Sequence, residues 1–114
     1  SAIKICKNLI DEGANLSIYD PQVKETQIEI DLNIKSQKQV TISSWRIAHS
    51  IDEAANNSDA IVFLTEWEEF KNINWEKISK KMRAPSWLID TRNIVNHEYA
   101  IKNGLKVWRL GVDK

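Results

Sequence analysis

Apolar residues recur along the first dozen positions with the spacing of one side of a helix. The apolar positions on that side are Ala2, Ile5, Cys6 and Leu9. Lysine, asparagine and aspartate occupy the opposite side, and Gly13 offers the left-handed residue that commonly ends a helix. The pattern therefore predicts an amphipathic helix that stops near Gly13.

Short apolar segments further along the chain predict four strands. They cover residues 16–19, 60–64, 87–90 and 105–110. Residues 60–64 are apolar without alternation, which is typical of a strand covered on both faces in a parallel sheet. We therefore expect this segment to be the central strand. The first strand ends at Asp20 and Pro21, which favour a turn.

Capping residues predict three more helices. Ser50 followed by Glu53 is the pattern in which each side chain satisfies the other residue's main-chain amide. Asn74 is suited to cap a second helix, which carries basic residues toward its C-terminal end. A third helix is expected over residues 96–103, with Gly104 as its stop.

Residues 22–44 carry weaker signals than the rest of the chain. Polar and apolar residues alternate over residues 27–32, and residues 40–42 have the composition of a short strand. Neither pattern is long enough to define an element. We therefore expect a loop-rich excursion between the first strand and the next helix.

Outside this excursion, helices and strands alternate. Such an order implies right-handed crossovers and a mostly parallel sheet with helices on both faces, which is a Rossmann-like, three-layer α/β domain. Ligands of these sheets bind at the carboxyl ends of the strands. The polar residues that close or follow the predicted strands are Asp20, Thr65, Glu66, Asp90, Thr91 and Arg92.

Length, charge and glycine content narrow the classes of protein to which the chain can belong. The chain has 114 residues, enough for one domain, and its 42% hydrophobic and 28% charged residues are a globular composition. Sixteen Lys and Arg balance sixteen Asp and Glu, so no net positive field favours nucleic-acid binding. The three glycines are too far apart to form a GxGxxG or P-loop motif.

Cysteine usage and hydropathy indicate the compartment. A single cysteine, Cys6, allows no disulfide within the chain and no CxxC pair, which favours a reducing environment. No apolar run approaches the roughly 20 residues that span a bilayer, so we expect a cytoplasmic protein outside the membrane. Because Cys6 falls on an apolar helix side, a buried inert thiol is favoured over a nucleophile.

Several polar residues have an ordinary structural explanation. Asp20 closes a strand as a ribose-binding acid would, but no glycine-rich turn precedes it, so a turn-forming role before Pro21 is favoured. Asp59 precedes a strand and would lie at the edge away from ligands. His49 and His97 have no Glu or Cys at metal-ligand spacing, so solvent-exposed or capping roles are favoured.

The five tryptophans raise the question of base stacking. Stacking platforms need a basic groove, which the balanced charge does not predict. Trp75 and Trp87 fall on core sides, so packing in the core or at a domain interface is favoured. The pattern says least about Trp45 and Trp67.

Arg92 has a stronger functional argument than these residues. It follows a predicted strand at its carboxyl end, and its planar guanidinium suits bidentate contact with phosphate or carboxylate. Packing gives little reason for an arginine in a tight strand-to-helix turn. Two interpretations stay open: an anion ligand, or an ion pair with Asp90 or with a neighbouring domain.

Four segments together resemble the C-terminal, UDP-binding domain of the nucleotide-sugar dehydrogenases. They are LIDEGANLSIYDPQV (9–23), DEAANNSDAIVFLTEWEEF (52–70), WEKISKKMRAP (75–85) and IDTRNIV (89–95). The IYDP and TEWEEF motifs, followed by a D-x-R-N motif, are more similar to the UDP-glucose 6-dehydrogenase branch than to the GDP-mannose branch. The resemblance runs from residue 1 to about residue 111, interrupted over residues 22–44.

This resemblance implies an enzyme of three parts. An N-terminal Rossmann domain would hold NAD, a central helix would pair subunits into a homo-oligomer, and residues 1–114 would close over the UDP-sugar. The family reaction oxidises UDP-glucose to UDP-glucuronate in two NAD-dependent steps, through a thiohemiacetal and a thioester on a cysteine. Cys6 does not match that nucleophile's motif, so neither a catalytic nor a cofactor-binding residue is expected in this chain.

The resemblance also implies roles for individual residues. The arginine of the family's D-G-R motif, which contacts the UDP-sugar, falls on Arg92. The substrate-binding residues expected at this edge are Arg92, Thr91, Asp90, Thr65 and Glu66. Thr91 stands where the family usually has glycine, as in some UDP-N-acetylhexosamine dehydrogenases, so a 6-dehydrogenase of that sugar is one alternative.

A free-standing, non-enzymatic Rossmann-like binding module is the other alternative. In the enzyme interpretation the chain is a fragment, and the family's preceding strand would lie before Ser1. We therefore expect a sheet that lacks its first strand.

Overall fold

Helices and parallel strands alternate along the part of the chain that the computed structural model describes, residues 2–40 and 42–109. The helices are α1 (Ala2–Asp11), α2 (Glu25–Leu32), α3 (Ile51–Ala55), α4 (Trp75–Ser79) and α5 (His97–Lys102), and a 3₁₀ helix covers Glu68–Asn72. The strands are β1 (Asn15–Ile18), β2 (Ser44–Ile47), β3 (Ala60–Phe63), β4 (Trp87–Asp90) and β5 (Lys106–Arg109). Every strand pair among these residues is parallel, which confirms the predicted Rossmann-like α/β class.

The chain divides into two compact units, residues 1–54 and 55–114, each with its own parallel sheet. In the first unit β1 pairs with β2. In the second unit the strand order is β3-β4-β5, and Phe63, Asp90 and Arg109 lie in register at the carboxyl ends. The expectation that residues 60–64 form the central strand is wrong for this sheet, because β4 lies between β3 and β5.

A fully buried tryptophan, Trp45, lies in the core of the first unit. It packs with the buried side chains of Ile10, Ile28 and Leu32. Its indole N–H donates to the main-chain carbonyl of Ile34 at 2.9 Å, so the polar atom is satisfied despite its burial. Trp45 is therefore a core residue.

The predicted N-terminal helix is confirmed as α1, but its buried side differs from the expected one. Ile3, Cys6 and Ile10 pack in the core of the first unit, at a spacing of three and four residues. Ile5, expected on that side, is 39% exposed. Burial raises the pKa of the Cys6 thiol, which favours the inert, protonated form that the sequence predicts.

Helix α2 occupies part of the segment for which the sequence predicts a loop-rich excursion. The alternation of Ile28, Ile30 and Leu32 is misleading here. The helix buries Ile28 and Leu32, four residues apart, and leaves Ile30 70% exposed. Asn33 then ends α2 with a left-handed φ of 57°.

Strand β2 is also missing from the sequence prediction. It begins at Ser44, two residues beyond the short strand expected over residues 40–42. Residues 40 and 42 are not in a strand, and Thr41 lies outside the described residues. Pairing with β1 fixes β2, and four residues leave no pattern from which a sequence predicts it.

The predicted helix caps are confirmed with one difference. The Glu53 amide donates to Ser50 Oγ at 3.0 Å, so Ser50 caps α3 as expected. The Glu53 carboxylate instead accepts a hydrogen bond from Arg46 Nη1 at 3.2 Å. Asn74 caps α4 through the Lys77 amide at 3.1 Å.

Helix α5 has the predicted start and stop. Asn96 Oδ1 accepts from the Tyr99 amide at 3.1 Å. Gly104 follows the helix at a φ of +93°, where glycine is favoured. The last predicted strand is confirmed as β5, and Leu110, also expected in it, lies outside the described residues.

The tryptophans of the second unit differ in burial. Trp75 is fully buried as predicted, and its ring meets Phe63 edge-on with centroids 6.3 Å apart. The sequence predicts packing of Trp87 in the core or at a domain interface; it is not in the core, because this first residue of β4 is 42% exposed. Lys106, its register partner on β5, places Nζ 5.6 Å from the ring centroid, so a cation covers part of the ring. Trp67 is half-buried.

The described helices also bear on membrane insertion. Not one of them is both long enough and apolar enough to cross a bilayer.

Candidate functional site

Asp90, the last residue of β4, has a fully buried side chain that accepts four hydrogen bonds. Its Oδ1 accepts from the Arg92 amide at 3.1 Å. Its Oδ2 accepts from the amides of Ile94 at 2.8 Å and Val95 at 2.9 Å, and contacts His97 Nε2 at 2.8 Å. The chain after β4 therefore wraps around one carboxylate, and residues 91–95 form what we call the Asp90 turn.

The Asp90 turn keeps its central carboxylate ionised. Burial alone raises the pKa of Asp90, because it disfavours the charged form. The hydrogen bonds from the Val95 amide, from His97 and from the amides of Arg92 and Ile94 outweigh burial and hold the pKa below its ordinary value. The turn thus holds a buried negative charge, and hydrogen-bond donors of the protein take the place of water around the Asp90 carboxylate.

Arg92 leaves this turn with its side chain half exposed. Its Nε and Nη2 both lie 3.1 Å from Glu66 Oε2, across the carboxyl ends of β4 and β3. The side chains of Arg92 and Glu66 are 47% and 55% exposed. Exposed pairs of this kind contribute about 0–1 kcal/mol, so an anionic ligand could displace Glu66 at little cost.

Thr91 joins the Asp90 turn to the neighbouring strand. Its hydroxyl donates to the Phe63 carbonyl at 2.6 Å, and its amide donates to the same oxygen at 3.3 Å. Phe63 is the last residue of β3. Thr65, two residues further, is half-buried at this carboxyl edge. The edge therefore presents groups from β3 and β4 together.

His97 is buried, so the prediction of a solvent-exposed or capping histidine is wrong for it. Its Nδ1 lies 2.7 Å from Arg109 Nη1, and its Nε2 faces Asp90. Arginine has donors only, so Nδ1 must accept, and the imidazole proton sits on Nε2 and is donated to Asp90. His97 therefore lies between a cation at the end of β5 and the carboxylate at the end of β4.

An open groove runs beside His97. Its volume is about 570 Å³, and its walls come from the start of α5 and from β5. Val95, Asn96, His97, Glu98, Ile101, Val107 and Arg109 line it. The mixture of apolar and oppositely charged groups does not match one ligand class.

The other polar residues weighed in the sequence lie in ordinary structural positions. Asp20 Oδ1 accepts from the amides of Gln22 at 2.8 Å and Val23 at 3.1 Å, which confirms its turn-forming role. His49 is exposed, as predicted. Asp59 precedes β3 and pairs with Arg83 at 3.5 Å. Within residues 2–40 and 42–109, no group of three His, Cys, Asp or Glu side chains is placed to hold a metal ion.

The predicted substrate-binding set lies in one place but in different environments. Arg92 and Glu66 are exposed, Thr65 and Thr91 are half-buried, and Asp90 is enclosed. The ion-pair partner of Arg92 is Glu66, whereas the sequence suggests Asp90 or a neighbouring domain. Substrate contact by this set stays a prediction.

Sequence reasoning missed the contributions of His97 and Arg109 to this site. Arg109 is opposite Asp90 only in the β4–β5 register, which no local pattern encodes. His97 follows the Asn96 cap and lies seven residues after Asp90, at the start of a helix that faces the strand end. A buried aspartate followed by a histidine within the first turn of the next helix is the signal that could have found it.

The described glycines do not suit a dinucleotide pyrophosphate. Gly13 and Gly104 both follow helices and precede β1 and β5, so they lie at the amino ends of the strands. A pyrophosphate loop needs glycines where a strand's carboxyl end turns into a helix. The described glycines therefore do not fit NAD.

A parallel sheet whose carboxyl edge carries an anchored arginine defines a Rossmann-like domain with a candidate anion site. The model of the UDP-glucose/GDP-mannose dehydrogenase family, UDP binding domain, matches residues 1–97. The chain belongs to this family, which confirms the resemblance seen in its motifs.

Curated relatives agree with the family match. The chain is 35% identical to UDP-glucose 6-dehydrogenase 2 of Arabidopsis thaliana, 34% to UDP-glucose 6-dehydrogenase 1 of Glycine max and 35% to UDP-glucose 6-dehydrogenase 2 of Oryza sativa subsp. japonica. Each match covers 96% of this chain and 25% of the relative. The chain thus spans about a quarter of the length of these relatives.

Proposed function

We propose that residues 1–114 act as the UDP-sugar-binding domain of an NAD-dependent UDP-glucose 6-dehydrogenase, which oxidises UDP-glucose to UDP-glucuronate. Family membership and relatives that bear this name support the proposal. The observation that carries it is the half-exposed Arg92 guanidinium at the carboxyl end of β4, on a turn that Asp90 holds rigidly. This chain supplies binding groups and no catalytic residue.

Arg92 binds the diphosphate of the UDP-sugar by exchanging one anion for another. In the structure the guanidinium is held by a single Glu66 oxygen. A diphosphate offers several oxygens to the same planar donors, and bidentate contacts of this type are stronger than the exposed pair they replace. Glu66, once displaced, is free to accept a hydrogen bond from a hydroxyl of the nucleotide or the sugar.

The remaining residues of the predicted set either contact the ligand or hold the Asp90 turn in place. Thr65 lies at the same edge as Glu66 and offers a hydroxyl to the ligand. Asp90 and Thr91 contribute by holding the turn, since the carboxylate has four partners and the Thr91 hydroxyl is bonded to Phe63. Binding of the UDP-sugar by this set therefore depends on the shape of the Asp90 turn as well as on direct contacts with the ligand.

NAD and the protein partners belong to the same proposal. An NAD-binding domain would supply the cofactor, because the described glycines do not fit NAD. The same domain would supply the nucleophilic cysteine, because Cys6 does not match the motif of that nucleophile. A central helix would join subunits into a homo-oligomer in the cytoplasm. This chain would then form one wall of a site whose other wall is the NAD-binding domain.

Calorimetric titration of the 114-residue chain with UDP tests the proposal. Wild type should bind UDP, and Arg92→Ala should weaken binding by about tenfold or more, because it removes a charge-assisted contact. Arg83→Ala is the matched control: Arg83 is also an exposed arginine in an ion pair, but with Asp59 before β3. Equal affinities of wild type and Arg92→Ala for UDP would refute the role of Arg92.

Separate titrations with two UDP-sugars test which sugar the chain binds. The family usually has glycine at the position of Thr91. The threonine supports a second candidate function, a UDP-N-acetylhexosamine 6-dehydrogenase. The chain is titrated first with UDP-glucose and then, in a separate experiment, with UDP-N-acetylglucosamine. We expect UDP-glucose to bind more tightly. The opposite order would favour the second candidate.

A further inference from the structure

Two residues that the proposed function does not use form a continuous hydrogen-bonded path to the turn that carries Arg92. Arg109 Nη1 lies 2.7 Å from His97 Nδ1, and His97 Nε2 lies 2.8 Å from Asp90 Oδ2. Asp90 Oδ1 then accepts from the amide of Arg92 at 3.1 Å. The path joins the carboxyl ends of β5 and β4.

The order of donors and acceptors along this path is fixed by chemistry. Arg109 donates only, so His97 Nδ1 carries the lone pair. The single proton of the neutral imidazole then sits on Nε2, where the ionised Asp90 accepts it. The opposite tautomer would place a proton of His97 against a proton of Arg109, and a lone pair against the carboxylate.

Burial makes the hydrogen bond between His97 and Asp90 difficult to replace. Asp90 is fully buried and His97 is only 9% exposed, so neither group can replace a lost partner with bulk water. Asp90 Oδ2 accepts hydrogen bonds from His97 Nε2 and from the amides of Ile94 and Val95. These three donors fix the plane of the carboxylate, and that plane aims Oδ1 at the Arg92 amide.

We propose that His97 is a positioning residue for Arg92, acting through the Asp90 carboxylate, and that Arg109 fixes His97 in the tautomer this role requires. The inference rests on the proposed contact between Arg92 and the diphosphate of UDP. His97 itself touches no ligand. It sets the direction in which the main chain leaves β4 and therefore where the guanidinium lies.

A matched pair of variants separates positioning from mere packing. In His97→Gln the side-chain amide can still donate to Asp90, whereas His97→Ala removes the donor. UDP affinity should fall about tenfold in His97→Ala, since a hydrogen bond to a buried charge is lost, and return to within about threefold of wild type in His97→Gln. Hydrogen exchange of the Arg92 amide should speed up in His97→Ala alone.

The role of Arg109 is tested by the spectrum of the imidazole. In ¹⁵N NMR of wild type, Nε2 should carry the proton and Nδ1 should be unprotonated. Arg109→Met keeps side-chain length but removes the donor that excludes a proton from Nδ1, so a larger fraction of Nδ1 should carry a proton than in wild type, and UDP binding should weaken. If His97→Ala fails to fold, His97→Gln and Arg109→Met still provide the measurement.

Different results would defeat the two proposals separately. If Arg92→Ala weakens UDP binding while His97→Ala and Arg109→Met match wild type, His97 is not a positioning residue. A proton on Nδ1 in wild type would also overturn the inference. If wild type does not bind UDP but Arg92 amide exchange and the tautomer respond as expected, the proposed function fails and the geometric path stands.

Discussion

The Thr91 hydroxyl donates a hydrogen bond to the main-chain carbonyl of Phe63, 2.6 Å away, and so ties the carboxyl end of β4 to that of β3. The Thr91 amide reaches the same oxygen at 3.3 Å. The half-buried threonine side chain therefore adds to the strand pairing at the point where the proposed ligand edge begins. A glycine would keep only the amide contact.

Replacing the Thr91 hydroxyl should weaken this connection. Thr91→Val keeps the side-chain shape and removes the donor, so we expect a loss of about 1 kcal/mol in the free energy of unfolding. Thr91→Ser keeps the hydroxyl and should lose less. Urea denaturation followed by tryptophan fluorescence measures both, and equal stability of the Val and Ser variants would contradict the role of the hydrogen bond.

Asp90→Asn should destabilise the second unit more than any exposed charge removal. The amide nitrogen of asparagine is a donor, so it cannot accept from all of Arg92, Ile94, Val95 and His97. We expect a loss of about 2–3 kcal/mol, since buried donors are left without acceptors. Asp59→Asn, at a 77% exposed side chain, is the control and should cost no more than about 1 kcal/mol. Comparable losses in the two variants would count against the buried carboxylate.

The lowered pKa of Asp90 predicts how stability depends on pH. The folded-state pKa lies below the unfolded one, so the contribution of Asp90 is fully present above the unfolded value of about 3.9 and is lost as pH falls through the folded value. The stability difference between wild type and Asp90→Asn should therefore be constant near neutral pH and shrink in acid below about pH 4. Chemical denaturation at pH 7, 4 and 3 measures it, and a difference independent of pH would be inconsistent with the ionised carboxylate.

Glu66→Gln should increase the affinity for UDP. Wild-type Glu66 competes with the ligand for the Arg92 guanidinium, and this exposed pair is worth about 0–1 kcal/mol, so the gain should be about twofold to fivefold. Glu68→Gln removes the same charge two residues away, where Glu68 pairs with Lys71. That control should change affinity less, and an equal gain in both variants would mean that only the net charge matters.

The carboxyl edge was predictable from the sequence because it depends on local signals. An apolar strand that ends in Asp90 and is followed by Arg92 places an arginine at the edge where ligands of parallel sheets bind. The ion pair with Glu66 and the Thr91–Phe63 bond depend on β3 and β4 being neighbours. Strand neighbours are set by tertiary packing, so the residue set could be predicted but its bonds could not.

The errors also have physical causes. In α2, Ile28, Ile30 and Leu32 have a strand-like period, yet tertiary packing selects only the pair at helical spacing. The burial of His97 could not be predicted from the sequence either, because its partners Asp90 and Arg109 lie on two different strands. Such contacts combine residues that no window of sequence brings together.

The contacts around Asp90 have a further consequence, because its four donors come from residues 92–97 of one uninterrupted segment. With its left-handed Asn93 at a φ of 58°, this segment encodes its own shape from a single strand end. The eight residues from 90 to 97 therefore hold the buried acid together with its four donors, and Phe63 and Arg109 contact this segment from the neighbouring strands.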